Sequence, residues 1–359
     1  MSARDASLLG AYVLPGPETK PLPGIGQTTE AERLGLGSVW LSELQGPVKD
    51  AGAILGYMGA ATSKIGVGTS ITHFGTRHPM VLASWGLTMQ VMTGGRFLFG
   101  FGRSTPERWR NWGVTVPTIA SMEGYAGILR RLWAHERFSY DGPAGRYPKL
   151  GFDDFPDYAP PPLMLAAIGP KTLQLVGRSF DAVLLHPFLT PEAVARSRAI
   201  VHEAAEAAGR DPAAVKIYHQ IVTAPDMSAA AIDKAVHARL AAYMSHPGFG
   251  EPILEVNGWD AAPLAPFRAA VAEAAKENDA AGSPLKGRDV LIKPSRLLPP
   301  EWLRDSAAIG TAAQCAARLH DFLDAGADEI IIHGVTPDGL EATVKAFVRA
   351  GTGAEPAGA

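Results

Sequence analysis

Two rhythms of hydrophobic and polar positions take turns along this chain. Period-two alternation or a short apolar run, the signature of a strand, appears at Leu8–Leu14, Ser38–Ser42, Ile65–Ile71, Phe97–Phe101, Pro162–Ala166, Ala182–Leu185, Lys216–Thr223 and Glu329–Ile332. Between these runs apolar residues recur three and four apart, the spacing of a helix buried on one face. After the first run comes a Pro/Gly-rich loop, Pro15–Gly26, and Thr28 or Thr29 is placed to cap a helix through Ala31, Leu34 and Leu36. Further helices are predicted over Val48–Ala61, from Pro79 to the Gly94-Gly95 stop, over Ile119–Trp133, from Thr172 to Val176, over Pro191–Ala207 behind Thr190, after Ser228, over Thr311–Leu323 and over Leu340–Val348. Phe138–Asp157 reads as irregular. Tyr243–Pro300 breaks the rhythm with prolines, aromatics and glycines, and reads as an insertion folded over the rest.

Strands that alternate with helices form a parallel sheet. An open, doubly wound sheet competes with a closed barrel. The residues where the runs end favour the barrel: Glu43, His73, Gly102-Arg103, Ala167-Ile168, His186 and His333. In a (β/α)8 TIM barrel the C-terminal strand ends share one face, and that face carries the active site. The expected fold class is therefore α/β, a TIM barrel with an insertion at about 243–300. Residues 1–350 would form one domain and 351–359 a loose tail.

The segment Lys64–Ser104 is the most informative. Ile65, Val67, Thr69 and Ile71 alternate with Gly66, Gly68 and Ser70, so one strand face is nearly bare, which suits the close approach of a backbone or ligand. Pro79 opens the following helix, and Phe97–Phe101 has the continuous apolar character of a strand buried on both faces.

Composition narrows the classes. With 47% hydrophobic and 19% charged residues the chain has material for a large core. Its net charge of −3 and the lack of a Lys/Arg block argue against nucleic-acid binding. The single cysteine, Cys315, stands in a helical pattern as core filler and excludes an intrachain disulfide. No apolar run nears the roughly 18 residues of a membrane span, and the start does not resemble a signal peptide, so a cytoplasmic protein is expected.

The candidate chemistry lies at the strand ends. Ile168-Gly169-Pro170-Lys171-Thr172 begins a helix, where backbone N–H groups and the lysine favour an anion, or it is an ordinary turn. Gly100 and Gly102 permit close approach to the backbone, with Arg103 as an anion partner, or they serve a tight turn. Glu43 is a candidate for proton transfer or a hydrogen bond to a ligand, and His73 for either role. Trp109, Trp112, Trp259 and Trp302 either wall a substrate pocket or pack the insertion. No histidine pair has metal-ligand spacing with a carboxylate, so no metal is expected.

Four segments together resemble the luciferase-like flavin and deazaflavin oxidoreductases. They are Ala31–Trp40; Arg77-His78-Pro79 with Gly94–Phe97 and Gly100-Phe101-Gly102; Met122–Tyr125 through Leu132-Trp133; and Ala166–Lys171. Within that family the chain is most similar to the coenzyme F420-dependent branch, whose third strand carries a non-prolyl cis peptide behind the deazaflavin. Gly68-Thr69-Ser70-Ile71 matches that motif and implies a cis bond at Ser70-Ile71. The resemblance implies an F420-dependent oxidoreductase that transfers a hydride to or from a small organic substrate. An FMN-dependent monooxygenase is the alternative, and a non-catalytic cofactor-binding barrel the third reading. It implies Ser70, Ile71, Gly100, Gly102, Arg103, Ala167, Ile168, Gly169, Pro170, Lys171 and Thr172 at the cofactor, Glu43 and His73 as catalytic groups, and a homo-oligomer. One departure stands out. Sugar-phosphate dehydrogenases of the branch have a histidine and a glutamate where this chain has Leu44 and Thr105, so oxidation of sugar phosphates is not expected.

Overall fold

The computed structural model describes residues 4–13, 23–43, 50–281, 285 and 287–351. Leu14, most of the Pro15–Gly26 loop, Leu44, Val48 and the tail from residue 352 lie outside the described residues. The strands are β1 Leu9–Tyr12, β2 Ser38–Leu41, β3 Gly66–Thr69, β4 Phe97–Phe101, β5 Phe138–Gly142, β6 Gly145–Leu150, β7 Leu163–Ala167, β8 Ala182–Leu185, β9 Lys216–Pro225, β10 Ala308–Gly310 and β11 Glu329–His333. Eight of them run parallel in the order β1-β2-β3-β4-β7-β8-β9-β11 and close back on β1, giving the expected TIM barrel.

All eight predicted strands are present, because each combines an apolar run with a helix to cover it. Tyr12, Trp40, Met164, Leu184 and Ile331 fill the barrel interior, and a larger apolar layer lies between barrel and helices. Side chains cap the helices where polar residues interrupt the pattern. Asp50 accepts from Ala53 N at 2.9 Å, Thr190 from Ala193 N and Thr311 from Gln314 N. At the N-terminal end of the barrel Arg96 donates to the carbonyls of Gly59, Thr62 and Ile65 at 2.5–3.0 Å. That arginine of the Gly-Gly-Arg-Phe segment is a structural pin.

Several expectations are corrected. The first helix begins at Pro23, not at a Thr28 or Thr29 cap; Thr28 sits inside it and donates to Gly24 O. Phe138–Asp157 contains the antiparallel hairpin β5–β6. Its strands are mostly exposed and lack an apolar face, so the period-two signal was weak. The strand β10 adds to β9 in parallel, pairing Ala308 with Thr223 and Gly310 with Pro225; three residues are too few to show a pattern. The bare face of β3 is filled from within: a Cβ on Gly68 would meet the Trp40 indole at 2.5 Å. At Gly68 the face serves interior packing, while Ser70 farther along it reaches the cleft.

The insertion is helical. Helices Ala238–Met244, Pro247–Asn257, Leu264–Ala280 and Pro300–Ser306 pack around their own core of Leu240, Met244, Phe267 and Trp302. Trp259 and Trp302 stack with centroids 5.0 Å apart inside it, which selects the packing reading for that pair.

Candidate active site

A cleft of about 540 Å³ opens at the C-terminal end of the barrel. Every strand end singled out in the sequence contributes to it: Glu43, His73, Gly102-Arg103, Ala167-Ile168, His186 and His333 all line it. A closed parallel barrel forces this convergence, because all its strands point the same way.

Its floor is the segment after β3. The Ser70–Ile71 peptide is cis, as the resemblance implies. Ser70 O accepts from Tyr12 Oη at 2.9 Å and from Ser42 Oγ at 2.6 Å, so neighbouring strands hold the peptide from one side. Burial raises the Tyr12 hydroxyl pKa, opposed by its bond to Ser70, and the phenol stays a donor at neutral pH. Beyond the cis bond, Thr72 N donates to Gly100 O at 2.9 Å and Gly102 N to Thr72 O at 3.0 Å, which ties the segment back to β4.

Glu43 does not stand free in the cleft. It is buried, its Oε2 accepts from Thr72 Oγ1 and from Arg77 Nη1 at 3.0 Å, and its Oε1 accepts from Arg77 Nη2. Arg77 also lies over the Trp85 ring at 5.0 Å. The arginine of Arg77-His78-Pro79 is thus the counter-ion of Glu43, a bidentate partner that sequence distance concealed.

His73 is buried between Trp109 and Trp112, edge-on to both with centroids 5.5 and 5.2 Å away. Its Nδ1 has no hydrogen-bond partner and lies 4.0 Å from Glu43 Oε2. Burial lowers its pKa to about 4, against the pull of Glu43, so the ring is neutral at pH 7. Trp109 and Trp112 seat this histidine; none of the four singled-out tryptophans lines the cleft.

The other predicted positions divide. Ser70, Ile71, Gly169 and Thr172 line the cleft, but Gly100, Pro170 and Lys171 do not. A Cβ on Gly100 would strike the Thr69 carbonyl, so that glycine serves the β3–β4 contact. A Cβ on Gly102 would strike Ile71 Cδ1, so that position keeps the cleft floor open. Pro170 and Lys171 are exposed at the first turn of helix Pro170–Ser179, whose cap residue Gly169 offers no side-chain bond to its N–H groups. Arg103 and Arg108 are exposed on the cleft and form no ion pair among the described residues. The opposite wall holds residues that sequence reading missed: Gln220, Tyr243, Phe249 and Pro252. His186 packs on Tyr243 and Phe249 at 4.4 and 5.2 Å, and burial lowers its pKa to about 4.

The family model for luciferase-like monooxygenases matches residues 15–329. The 5,10-methylenetetrahydromethanopterin reductase of Methanolobus tindarius is 27% identical over 310 residues, 84% of this chain and 86% of the relative. The coenzyme F420-dependent tetrahydromethanopterin reductase of Methanopyrus kandleri superposes with a TM-score of 0.74 at 19% identity, covering 97% of this chain and 98% of that one. An F420-dependent secondary alcohol dehydrogenase solved with an F420–acetone adduct superposes with a TM-score of 0.70 at 16% identity, covering 98% and 99%. Those two identities speak for the fold. The match along most of the chain says more: this protein belongs to the luciferase-like monooxygenase family and is an oxidoreductase-type enzyme.

Proposed function

We propose that the protein is a coenzyme F420-dependent oxidoreductase that passes a hydride between the deazaflavin and a small organic substrate. The observation that carries this reading is the cleft floor: Ser70 and Ile71 line it, Tyr12 and Ser42 brace Ser70 O, and the adjoining Gly102 leaves room above Ile71. The two F420-dependent enzymes that share this fold over nearly the whole chain support the choice of cofactor. When bound, the deazaflavin supplies a two-electron hydride carrier.

The chain's own groups would bind, orient and shield. Arg103 and the uncapped N–H groups of helix Pro170–Ser179, with Gly169 and Thr172, suit an anionic tail. Exposed Lys171 adds positive charge outside the cleft lining. Ser70, Ile71 and Gly102 would flank the ring. His73, neutral at pH 7 and with an unpartnered Nδ1, suits a hydrogen bond better than proton donation. Glu43 acts through Arg77 and Thr72 to hold the floor in register.

Titrating the protein with F420 and with FMN tests the reading. F420 should bind, and Ser70→Leu should weaken it at least tenfold by filling the ring's place. Tight binding of FMN with none of F420 would replace the reading with an FMN-dependent monooxygenase. Binding without turnover by any reductant would favour a non-catalytic barrel.

We also infer a homo-oligomer acting in the cytoplasm. The outer faces of helices Ala51–Ala60 and Pro79–Thr93 leave Tyr57, Val81 and Met92 at 59, 53 and 49% exposure around a shared apolar groove. Sedimentation should give a mass above the 37.9 kDa of one chain, falling to that value in Met92→Glu. A monomeric wild type would sink this inference.

A further inference from the structure

Arg239 is a guanidinium packed directly behind the cleft lining, with no carboxylate partner among the described residues. It follows a π-helical turn at Asp233–His237, a device that re-aims side chains and is frequent at functional sites. Its Nη1 donates to His333 Nε2 at 2.9 Å and its Nε donates to Ala235 O at 3.3 Å, and Tyr243 lies close enough to favour its charge. His333 and Tyr243 both line the cleft, so the head group lies against residues of its lining. Because arginine can only donate, His333 accepts through Nε2 and carries its proton on Nδ1, which is left without an acceptor.

The surroundings are positive or neutral. Arg288 is close enough to depress the pKa of both Arg239 and His333. Burial, first, and then Arg288 lower Arg239 to about 10, so it remains a cation at pH 7; Tyr243 and Tyr12 oppose the shift. His186 is neutral there. Of the cleft's carboxylates, Glu43 is engaged by Arg77, and Glu255 is exposed on the rim. A largely desolvated cation without a counter-charge is costly, and a ligand anion would remove that cost.

The position is close to the floor of the site. The His333 ring lies 4.3 Å from that of Tyr12, whose hydroxyl donates to Ser70 O. Tyr243 and Phe249, 5.7 Å apart, add an apolar wall beside it.

We propose that Arg239, with His333 and Tyr243, binds a carboxylate of the substrate, so that the enzyme acts on an organic acid whose apolar body lies against Tyr243 and Phe249. The inference rests on the reading that this cleft holds a substrate beside a cofactor, and it names the substrate class. A planar monoanion matches the guanidinium fork and one buried cation. A phosphate dianion would leave a second charge to desolvate.

The test uses benzoate against benzamide, its neutral isostere, titrated into the whole protein by calorimetry. Wild type should bind benzoate at least tenfold more tightly than benzamide, the discrimination of a charge-assisted hydrogen bond. Arg239→Gln should abolish that preference, and Arg239→Lys, which keeps the charge without the fork, should retain part of it. F420 titration of the same proteins checks that the variants hold their site, and it reads the cofactor assignment separately. Absence of a benzoate preference in wild type, or its survival in Arg239→Gln, overturns the proposal whatever the F420 result.

Discussion

Arg77→Ala will destabilise the protein by about 3 kcal/mol in denaturant unfolding at pH 7, because it strands a buried carboxylate. Glu43 is 7% exposed and its two oxygens are engaged by Arg77 and Thr72. Removing the arginine leaves only the threonine hydroxyl against a full charge. Adding Glu43→Gln to Arg77→Ala should recover at least half of the loss, since a neutral amide needs no cation. Arg77→Lys should fall between, because a point charge cannot reproduce the two-pronged contact. A single variant within about 0.5 kcal/mol of wild type, the range of ordinary surface changes, would show that the pair contributes nothing. The same pair bears on catalysis. Glu43 precedes the cleft floor in sequence and Arg77 follows it, so the ion pair clamps Thr72 and His73 between them.

Glu329→Gln will stabilise the protein at alkaline pH and leave it unchanged in acid. Glu329 begins β11 at the closed end of the barrel, where its Oε1 accepts from Ser38 Oγ and crowds Gly10. Burial pushes its pKa from 4.5 up to about 7, with the Ser38 bond opposing. A carboxyl whose pKa is raised by folding binds its proton more tightly in the folded state. Its favourable contribution is therefore complete below about pH 4.5 and lost as pH rises towards 7. The shift corresponds to a ceiling of about 3 kcal/mol, and partial solvent access at the barrel end brings the expected gain of the variant to about 2 kcal/mol at pH 8. Unfolding curves at pH 4 and pH 8 decide it: a gain of equal size at both would attribute the effect to packing rather than ionisation.

The two arginines of the family-like segments show what was legible. Both Arg77 and Arg96 stood out in the sequence as parts of a resemblance. Only three-dimensional neighbours separated them, one as the counter-ion of a cleft carboxylate and the other as a pin for three carbonyls at the opposite end of the barrel. His73 was legible as a group at a strand end. Its neutrality was not, because that depends on two tryptophans more than thirty residues later in the chain closing over it.

By itself the sequence determined the order of the eight barrel strands and the helices between them, the closed barrel and the list of strand ends that meet in one cleft. These follow from local periodicity and from the geometry of parallel strands, which needs no knowledge of particular side-chain partners. Gly68, Gly100 and Gly102 mark the limit of that reasoning. All three looked equally prepared for a ligand, but they face an indole, a backbone carbonyl and the cleft floor respectively. Tertiary structure alone decided this, as it decided that Arg239 would stand beside His333 without a counter-charge among the described residues. The neighbours of these residues come from distant parts of the chain, and no local pattern records them.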